Sequence, residues 1–273
     1  NSFLGKDFIG DDSINYRCEK IKNIENYLEA KGKQLVVVIA PDKASFFQEH
    51  YGLPREESID TSNYKRYIHY LNEHNITYLD FRKAFIEAKD TSKYPLFPRT
   101  GIHWSIYGMN WAIDSVYRFL EMEISRPMPK MNVSEVEVKV NIERKIEFDA
   151  EESLNLFTPL ERFPLGYQKY TIEVPDEGKP KVLVISDSFF FESYVSGLAS
   201  RYTHDPIFWY YNNEAFHWKQ PHLDTKVRKI NMDSVVNEMD VVWLMATSLN
   251  LDKFPWKFEE NFEERVIKAA KKD

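Results

Sequence analysis

The chain has 273 residues, of which 43% are hydrophobic and 29% charged, so its composition is typical of a globular protein with a large core and excludes a disordered chain. Its formal net charge is −7 and its basic residues are dispersed, which argues against nucleic acid as the main partner because phosphate binding needs a concentrated cationic face. The single cysteine, Cys18, excludes an internal disulfide and a cysteine-based zinc site.

The sequence begins at Asn1 and contains no apolar run near the ~20 residues that a membrane-spanning helix needs. We therefore expect that a signal peptide or membrane anchor precedes this segment in the native protein. The lack of a disulfide is compatible with an exported protein, so composition leaves the compartment open.

The first structural pattern is a β-α-β unit. Within KQLVVVIAPDKASFF (33–47), the β-branched apolar run at 35–40 ends at Pro41, which predicts a buried parallel strand followed by the start of a helix. Residues 64–73 have the amphipathic pattern of a helix, and NITYLDF (75–81) predicts the next strand.

The middle of the chain changes character twice. Residues 97–123 begin as a loop and continue as a helix, for which Ser105 is a suitable N-cap. Polar and apolar residues then alternate at 135–148 and 170–174. We interpret 126–180 as a small antiparallel β insertion within a single domain that spans residues 1–273.

Three further strands are predicted at 182–186, 207–211 and 240–246. Because strands alternate with helical patterns, the chain is predicted to form a three-layer α/β/α sandwich with a mainly parallel central sheet. Ligand sites in such sheets lie at the carboxyl ends of the strands. The residues that directly follow these strands are therefore the first candidates for a functional site.

Ser188 and His103 are the two candidate catalytic residues. Ser188 follows the strand VLVIS and precedes a helical pattern, a position from which a serine can present its hydroxyl beside the amides of a helix start. Ser-Asp-Ser is also common in turns and N-caps. His103 lies in the loop TGIHWS, where the alternative is a packed histidine that bonds a backbone carbonyl.

The order of the blocks APDK (40–43), TGIHWS (100–105) and SDSF (186–189) resembles the SGNH-type hydrolases of the alginate O-acetyltransferase (DHHW-motif) family. The resemblance implies that Ser188 is the nucleophile and His103 the general base, with a covalent acyl-serine intermediate. It also implies an SGNH-like fold. Histidine precedes serine here, an order that triad geometry permits.

Two positions depart from the family pattern. Ser186 replaces a glycine of the serine block, and Gly101 stands where the family has an aspartate two residues before the histidine. Without that carboxylate, His103 needs another orienting group, works as a dyad or is not catalytic, and the loss can cost about four orders of magnitude in kcat. Asp42 is our first candidate replacement; Asp80 and Asp149 are the others, and each also fits a turn or cap.

The resemblance also implies binding residues. We expect the backbone N–H of Phe189 and the side chain of Asn212 or Asn213 to stabilise an oxyanion, although an Asn-Asn pair also suits a turn. Lys43 matches a lysine of the family and is predicted either to hold a polar or anionic glycan group or to be a helix-start lysine without a role. Three polar residues at the end of the last strand are candidates for the rim of the site: Thr247, Ser248 and Asn250. The aromatic residues near strand ends can stack on sugar rings or belong to the core: Trp104, Trp209, Tyr210, Tyr211, Phe216 and Trp218.

The resemblance implies a carbohydrate O-acetyltransferase or O-acetylesterase of the periplasm or cell envelope. Its partners are expected to be a polysaccharide or acetylated sugar and a membrane-bound O-acyltransferase that donates acetyl groups. The alternatives are a catalytically impaired scaffold that binds glycan or that acyltransferase, and an enzyme for a lipid or peptide ester. No cofactor or metal is predicted, because His69 and His74 lie five residues apart and the HExxH pattern is absent from the sequence.

Overall fold

The computed structural model describes residues 2–50, 52, 61–140 and 145–269. Two compact units are present, each assembled from separate chain segments. The first unit comprises Asn1–Ala40, Pro54–Asp80 and Pro180–Asp273, and the second comprises Pro41–Leu53 and Phe81–Lys179. The single domain over 1–273, with an insertion at 126–180, stays a prediction.

The described residues contain helices and strands in the following chain order. The helices are α1 (Asp11–Glu29), α2 (Lys43–Phe46), α3 (Asn63–Glu73), α4 (Phe81–Ala88), α5 (Ile106–Ile124), α6 (Asp149–Leu154), α7 (Ser188–Val195), α8 (Leu198–Tyr202), α9 (Met232–Glu238) and α10 (Phe258–Phe262). The strands are β1 (Gln34–Ala40), β2 (Tyr78–Asp80), β3 (Lys130–Lys139), β4 (Leu165–Glu173), β5 (Val182–Ser186), β6 (Ile207–Tyr210), β7 (Glu214–His217), β8 (Thr225–Lys226) and β9 (Val241–Thr247).

The first unit is built on a seven-stranded sheet in the order β2-β1-β9-β5-β6-β7-β8. The first five strands in this spatial order, β2, β1, β9, β5 and β6, are parallel, and β7 and β8 add an antiparallel edge. Because β5 and β9 are parallel, with Ser186 opposite Met245, their carboxyl ends lie side by side. The residues that follow β5 and β9 therefore meet at one edge of the sheet, as expected for the carboxyl ends of parallel strands.

The apolar sequences of the central strands reflect burial on both faces. Every residue of β5 and β9 is buried, and so are the last six residues of β1. Helix α1 covers one face with a stripe of fully buried residues that includes Ile14, Cys18 and Leu28. Burial raises the pKa of the Cys18 thiol to about 12, so this cysteine is a packing residue.

The second unit combines helices with a two-stranded antiparallel ribbon. Strands β3 and β4 pair from Lys130 opposite Glu173 to Lys139 opposite Leu165, with one irregularity between Val133 and Glu135. Helix α5 contacts both strands. It begins after Ser105, whose Oγ accepts the N–H of Gly108 at 3.0 Å, so the predicted N-cap is confirmed.

The predicted class, a mixed α/β fold with a mainly parallel sheet and a small antiparallel ribbon, is confirmed. Several boundaries differ from the sequence prediction. The strand predicted at 75–81 covers only β2, because α4 begins at Phe81, and β6 ends one residue before Tyr211. Residues 141–144 of the segment predicted at 135–148 lie outside the described residues. None of the helices in the described part of the chain is both long and apolar enough to cross a membrane.

Candidate active site

Ser188 occupies the turn between β5 and α7. Asp187 is the N-cap of α7 and has an extended backbone, so the chain changes from strand to helix within one residue and Ser188 becomes the first residue of the helix. Ser188 is half-buried. A side-chain hydrogen bond joins it to Tyr211, which follows β6 directly. The serine is therefore presented at the carboxyl edge of the sheet, as the sequence predicts.

Asp187 anchors this turn. Its carboxylate is fully buried and accepts four hydrogen bonds: from the N–H of Phe189 at 3.1 Å, from the N–H and Oγ1 of Thr247 at 2.8 and 2.9 Å, and from Nδ2 of Asn250 at 2.9 Å. Each donor satisfies part of a charge that would otherwise be costly to bury. The start of α7 is thus fastened to the end of β9, and Thr247 and Asn250 hold the serine turn.

Two of the groups predicted to form an oxyanion hole, the N–H of Phe189 and the side-chain amide of Asn212, have other partners. The N–H of Phe189 donates to Asp187 and therefore caps α7. Asn212 donates its side-chain amide to the carbonyl of Trp256 at 3.0 Å, and the N–H of Asn213 donates to the carbonyl of Tyr210 at 3.0 Å. Both asparagines belong to the turn between β6 and β7, which is the alternative that the sequence allowed.

Tyr211 is a site residue whose hydroxyl role the sequence did not reveal. Its φ of 50° and that of Asn212, 51°, are left-handed, and its N–H donates to the carbonyl of Ser186 at 2.8 Å. This turn sets the phenol beside Ser188. Burial, followed by the negative charge of Asp187, raises the pKa of Tyr211 to about 12, so the hydroxyl remains protonated at neutral pH. Only its position after a strand could have indicated the residue.

In the second unit, His103 has a carboxylate partner, and that partner is Asp149. Nδ1 of His103 lies 2.7 Å from Oδ2 of Asp149, and Oδ1 of Asp149 accepts the N–H of Ile102 at 2.7 Å. Both carboxylate oxygens therefore hold the histidine loop. A carboxylate on Nδ1 favours the imidazole tautomer with its proton on Nδ1, which makes Nε2 the basic nitrogen.

The contacts of Asp149 also determine its charge. Burial tends to raise the pKa of this carboxyl, but the hydrogen bonds from His103 and from the backbone N–H groups of Ile102 and Ala150 outweigh it and hold the pKa below its ordinary value. Asp149 is therefore ionised at neutral pH, the state that stabilises a protonated histidine.

Gly101 has a steric reason to lack a side chain. A Cβ at this position would lie 2.7 Å from the carbonyl oxygen of Ile146 and 2.8 Å from the carbonyl carbon of Glu147. These residues belong to a short 3-10 helix, Lys145–Glu147, that leads directly into α6 and Asp149. The segment that delivers the orienting carboxylate thus fills the space that a side chain at position 101 would need.

Asp42, our first candidate for the orienting acid, has a structural role instead. Its carboxylate accepts the N–H and the Oγ of Ser45 at 2.8 and 2.5 Å and lies 3.5 Å from Nε of Arg82. It therefore caps α2 and balances a buried arginine. Asp80, the other alternative, accepts the hydroxyl of Tyr64 at 2.8 Å at the end of β2.

Lys43 supports the histidine loop. Its Nζ donates to the carbonyl oxygens of Arg99 and Gly101 at 2.6 and 2.5 Å, and burial lowers its pKa to about 8. Trp104, predicted to bind substrate, is 1% exposed and packs against Phe85 with ring centroids 6.1 Å apart, so it belongs to the core. Within the described ranges, no group of three His, Cys, Asp or Glu residues is placed to hold a metal ion.

Comparisons with known proteins identify the family and the fold of this chain. The family model described as SGNH hydrolase-like domain, acetyltransferase AlgX, matches residues 5–182. No curated protein matches the sequence. Among solved structures, the chain is similar to the O-acetyltransferase domain of Pseudomonas putida AlgJ, with 17% identity, a TM-score of 0.56 and coverage of 96% of this chain and 94% of that chain. It is also similar to Bacillus cereus PatB1, with 11% identity, a TM-score of 0.51 and coverage of 89% and 91%. These likenesses establish the fold.

Replacement of Gly101 by alanine should destabilise the protein by about 1–3 kcal/mol, because the new Cβ collides with backbone atoms rather than with a flexible side chain. The quantity to measure is the free energy of unfolding in urea. Ile102→Ala, at a neighbouring position that is 47% exposed, serves as the control and should change it by no more than about 0.5 kcal/mol. Equal effects of the two variants would contradict the steric role of Gly101.

The lowered pKa of Asp149 predicts a pH-dependent contribution to stability. A carboxyl whose pKa is lower in the folded than in the unfolded state stabilises the protein above its unfolded pKa of about 3.9. Wild type should therefore exceed Asp149→Asn in free energy of unfolding above about pH 4, and the difference should shrink as the pH falls through the folded-state pKa. Chemical denaturation across this pH range measures it. A difference that grows towards acid would be inconsistent with the hydrogen bonds described for this carboxylate.

Proposed function

We propose that this chain, which belongs to the SGNH hydrolase-like domain family of acetyltransferase AlgX, transfers acetyl groups to polysaccharide hydroxyls through an acyl-serine intermediate on Ser188. The observation that carries the proposal is the 2.7 Å contact between Nδ1 of His103 and Asp149. It supplies the orienting carboxylate that position 101 lacks, so each chemical role of a serine triad has a candidate residue.

The proposed reaction has two halves. In the first, Nε2 of His103 accepts the proton of the Ser188 hydroxyl while Oγ attacks the acetyl carbonyl, and the leaving group of the donor departs with that proton. In the second, His103 takes the proton of a sugar hydroxyl, whose oxygen attacks the acyl-serine, and the proton returns to Ser188. The ionised carboxylate of Asp149 stabilises the imidazolium in both halves.

The proposal requires Ser188 Oγ and His103 Nε2 to approach to about 3 Å during the reaction. On the serine side, Tyr211 is the polar group beside the hydroxyl. Because its phenol remains protonated, it can orient the Ser188 hydroxyl by a hydrogen bond without competing as a base. The oxyanion donors expected at Phe189 and Asn212 have other partners in the structure, so we assign them no role in this step.

We propose the cell envelope as the compartment and a membrane-bound O-acyltransferase as the acetyl donor, on the strength of family membership. The substrate class has the same support, and one structural relative is an O-acetyltransferase domain. The alternative, an impaired scaffold that only binds glycan, rested on Gly101. The His103–Asp149 contact supports the catalytic proposal over that alternative, because a carboxylate lies at Nδ1 of His103.

Hydrolysis of p-nitrophenyl acetate tests the nucleophile and the base. Wild type should release p-nitrophenol and react with a serine-directed fluorophosphonate, whereas Ser188→Ala and His103→Ala should fall to the background rate. Ser234→Ala, at an exposed position on α9, is the matched serine control and should retain wild-type activity. Activity that survives Ser188→Ala would disprove the acyl-serine mechanism. Addition of an acceptor oligosaccharide then separates transfer from hydrolysis.

The orienting acid has its own test. Asp149→Asn keeps the size of the side chain but no longer favours the required tautomer, so kcat should fall by about four orders of magnitude. Glu152→Gln, on the exposed face of the same helix, should stay within about threefold of wild type. If Asp42→Asn lowered kcat per folded molecule more than Asp149→Asn, the assignment of Asp149 would be wrong.

A further inference from the structure

The proposed acyl transfer leaves a cavity of the first unit unused. It measures 730 Å³ and is lined by the first turns of α1 and by residues 252–260, which include the start of α10. Two aromatic residues contribute to its wall: Tyr16, which is 47% exposed, and Trp256, which is half-buried. Partly exposed aromatic rings beside a polar cavity are suited to ligands with both apolar faces and hydroxyl groups.

Glu259 is an unusual component of this wall. It is only 3% exposed, and Oε2 has no hydrogen-bond partner among the residues that the structure describes. Burial raises its pKa to about 7. The indole N–H of Trp256, in the same lining, likewise has no partner within the described ranges. Buried polar groups are normally paired, and both atoms are buried here, so a ligand in the cavity pairs with them only after a side-chain rotation that turns them towards it.

The backbone around Trp256 supports this reading. Trp256 and Lys257 are consecutive non-glycine residues with left-handed φ values of 56° and 62°. Such conformations are unfavourable and are concentrated at binding and active sites, where the surrounding structure holds them in place. The carbonyl of Trp256 accepts the side-chain amide of Asn212 at 3.0 Å, which fixes the segment against the turn that follows β6.

The cavity is connected to the candidate nucleophile. The ring of Trp256 meets the ring of Tyr211 edge-on, with centroids 5.4 Å apart, and Tyr211 is hydrogen-bonded to Ser188. A ligand that contacts Trp256 is therefore separated from the serine by one aromatic side chain. That position suits part of an extended substrate whose reacting group lies at Ser188.

The charges of the lining indicate what kind of ligand fits. The wall contains four carboxylates, those of Asp12, Asp252, Glu259 and Glu260, and three cations, those of Arg17, Lys253 and Lys257. Arg17 is committed to the wall, because its guanidinium donates to the carbonyl oxygens of Asp252 and Phe254 at 2.9 and 2.8 Å. With the charges nearly balanced, neither a strongly anionic nor a strongly cationic ligand is favoured.

We propose that this cavity is a subsite for an uncharged hexose ring of the acceptor polysaccharide, stacked on the aromatic wall and hydrogen-bonded to Glu259. Once these two side chains rotate towards the cavity, a sugar hydroxyl can donate to the carboxyl oxygen of Glu259 and accept from the indole N–H of Trp256. This inference rests on the proposed function in one respect, namely that the acceptor is a polysaccharide.

Binding is measured with Ser188→Ala protein, so that turnover does not interfere. The probes are cellohexaose, mannohexaose and maltohexaose as uncharged oligosaccharides, and an oligogalacturonate of equal length as the anionic counterpart. At least one uncharged hexamer should produce a saturable shift of the Trp256 indole resonance, which Trp256→Phe identifies, and the oligogalacturonate should bind more weakly. Failure of all three uncharged hexamers, or preference for the oligogalacturonate, would overturn the proposal.

Two further variants separate recognition from folding. Tyr16→Ala removes an exposed ring and should weaken binding by about 3–10-fold. Glu259→Leu replaces an unpaired buried carboxyl by an apolar side chain, so it should raise the melting temperature while weakening binding by at least about tenfold. Phe157→Ala, at a fully exposed position of the second unit, is the aromatic control. Wild-type binding by both Tyr16→Ala and Glu259→Leu would contradict the subsite.

The binding and catalytic tests fail independently. Oligosaccharide binding without Ser188-dependent ester hydrolysis would leave the subsite in place and reject the acyl-transfer mechanism. Ser188-dependent hydrolysis of p-nitrophenyl acetate without binding of any uncharged hexamer would do the reverse.

Discussion

A single buried carboxylate organises the serine side of this protein. Asp187 lies between β5 and α7, and its four hydrogen-bond donors come from the start of α7, from the end of β9 and from the turn after it. A buried charge without these donors would cost several kcal/mol, so the turn, the strand end and the helix start are stable together. This arrangement also fixes the position of Ser188, because Ser188 directly follows Asp187.

The histidine side is organised by a different carboxylate with a comparable function. Asp149 satisfies both Nδ1 of His103 and the N–H of Ile102, while Lys43 fixes the carbonyl groups that precede them. The backbone of the Lys145–Glu147 segment occupies the volume beside Gly101. The absence of a side chain at Gly101 and the position of the Asp149 carboxylate therefore both follow from the packing of this segment against the histidine loop.

The two unpaired polar atoms at the cavity of the first unit differ from this pattern. The carboxylates of Asp187 and Asp149 accept hydrogen bonds on both oxygens, whereas Oε2 of Glu259 has no partner among the described residues. The indole N–H of Trp256 has none among them either. The edge-on contact between the rings of Trp256 and Tyr211 connects the proposed binding surface to the proposed nucleophile. An enzyme that modifies a polymer needs such contacts away from the reacting atoms, since remote binding energy positions the acceptor.

The sequence by itself determined the features that depend on local patterns. The apolar, β-branched runs of β1, β5 and β9 predicted buried parallel strands, and the Ser105 cap was visible in the order of residues. The flanking motifs of Ser188 and His103 predicted them as catalytic residues. Only the tertiary structure decided which carboxylate orients His103. Asp149 lies 46 residues away along the chain, and the sequence, from which Asp42 was the first candidate and Asp80 and Asp149 the others, offered no geometric basis for the choice. The same holds for Tyr211 and Glu259, because hydrogen bonding and burial depend on side chains that distant segments bring together, and a linear pattern does not encode those distances.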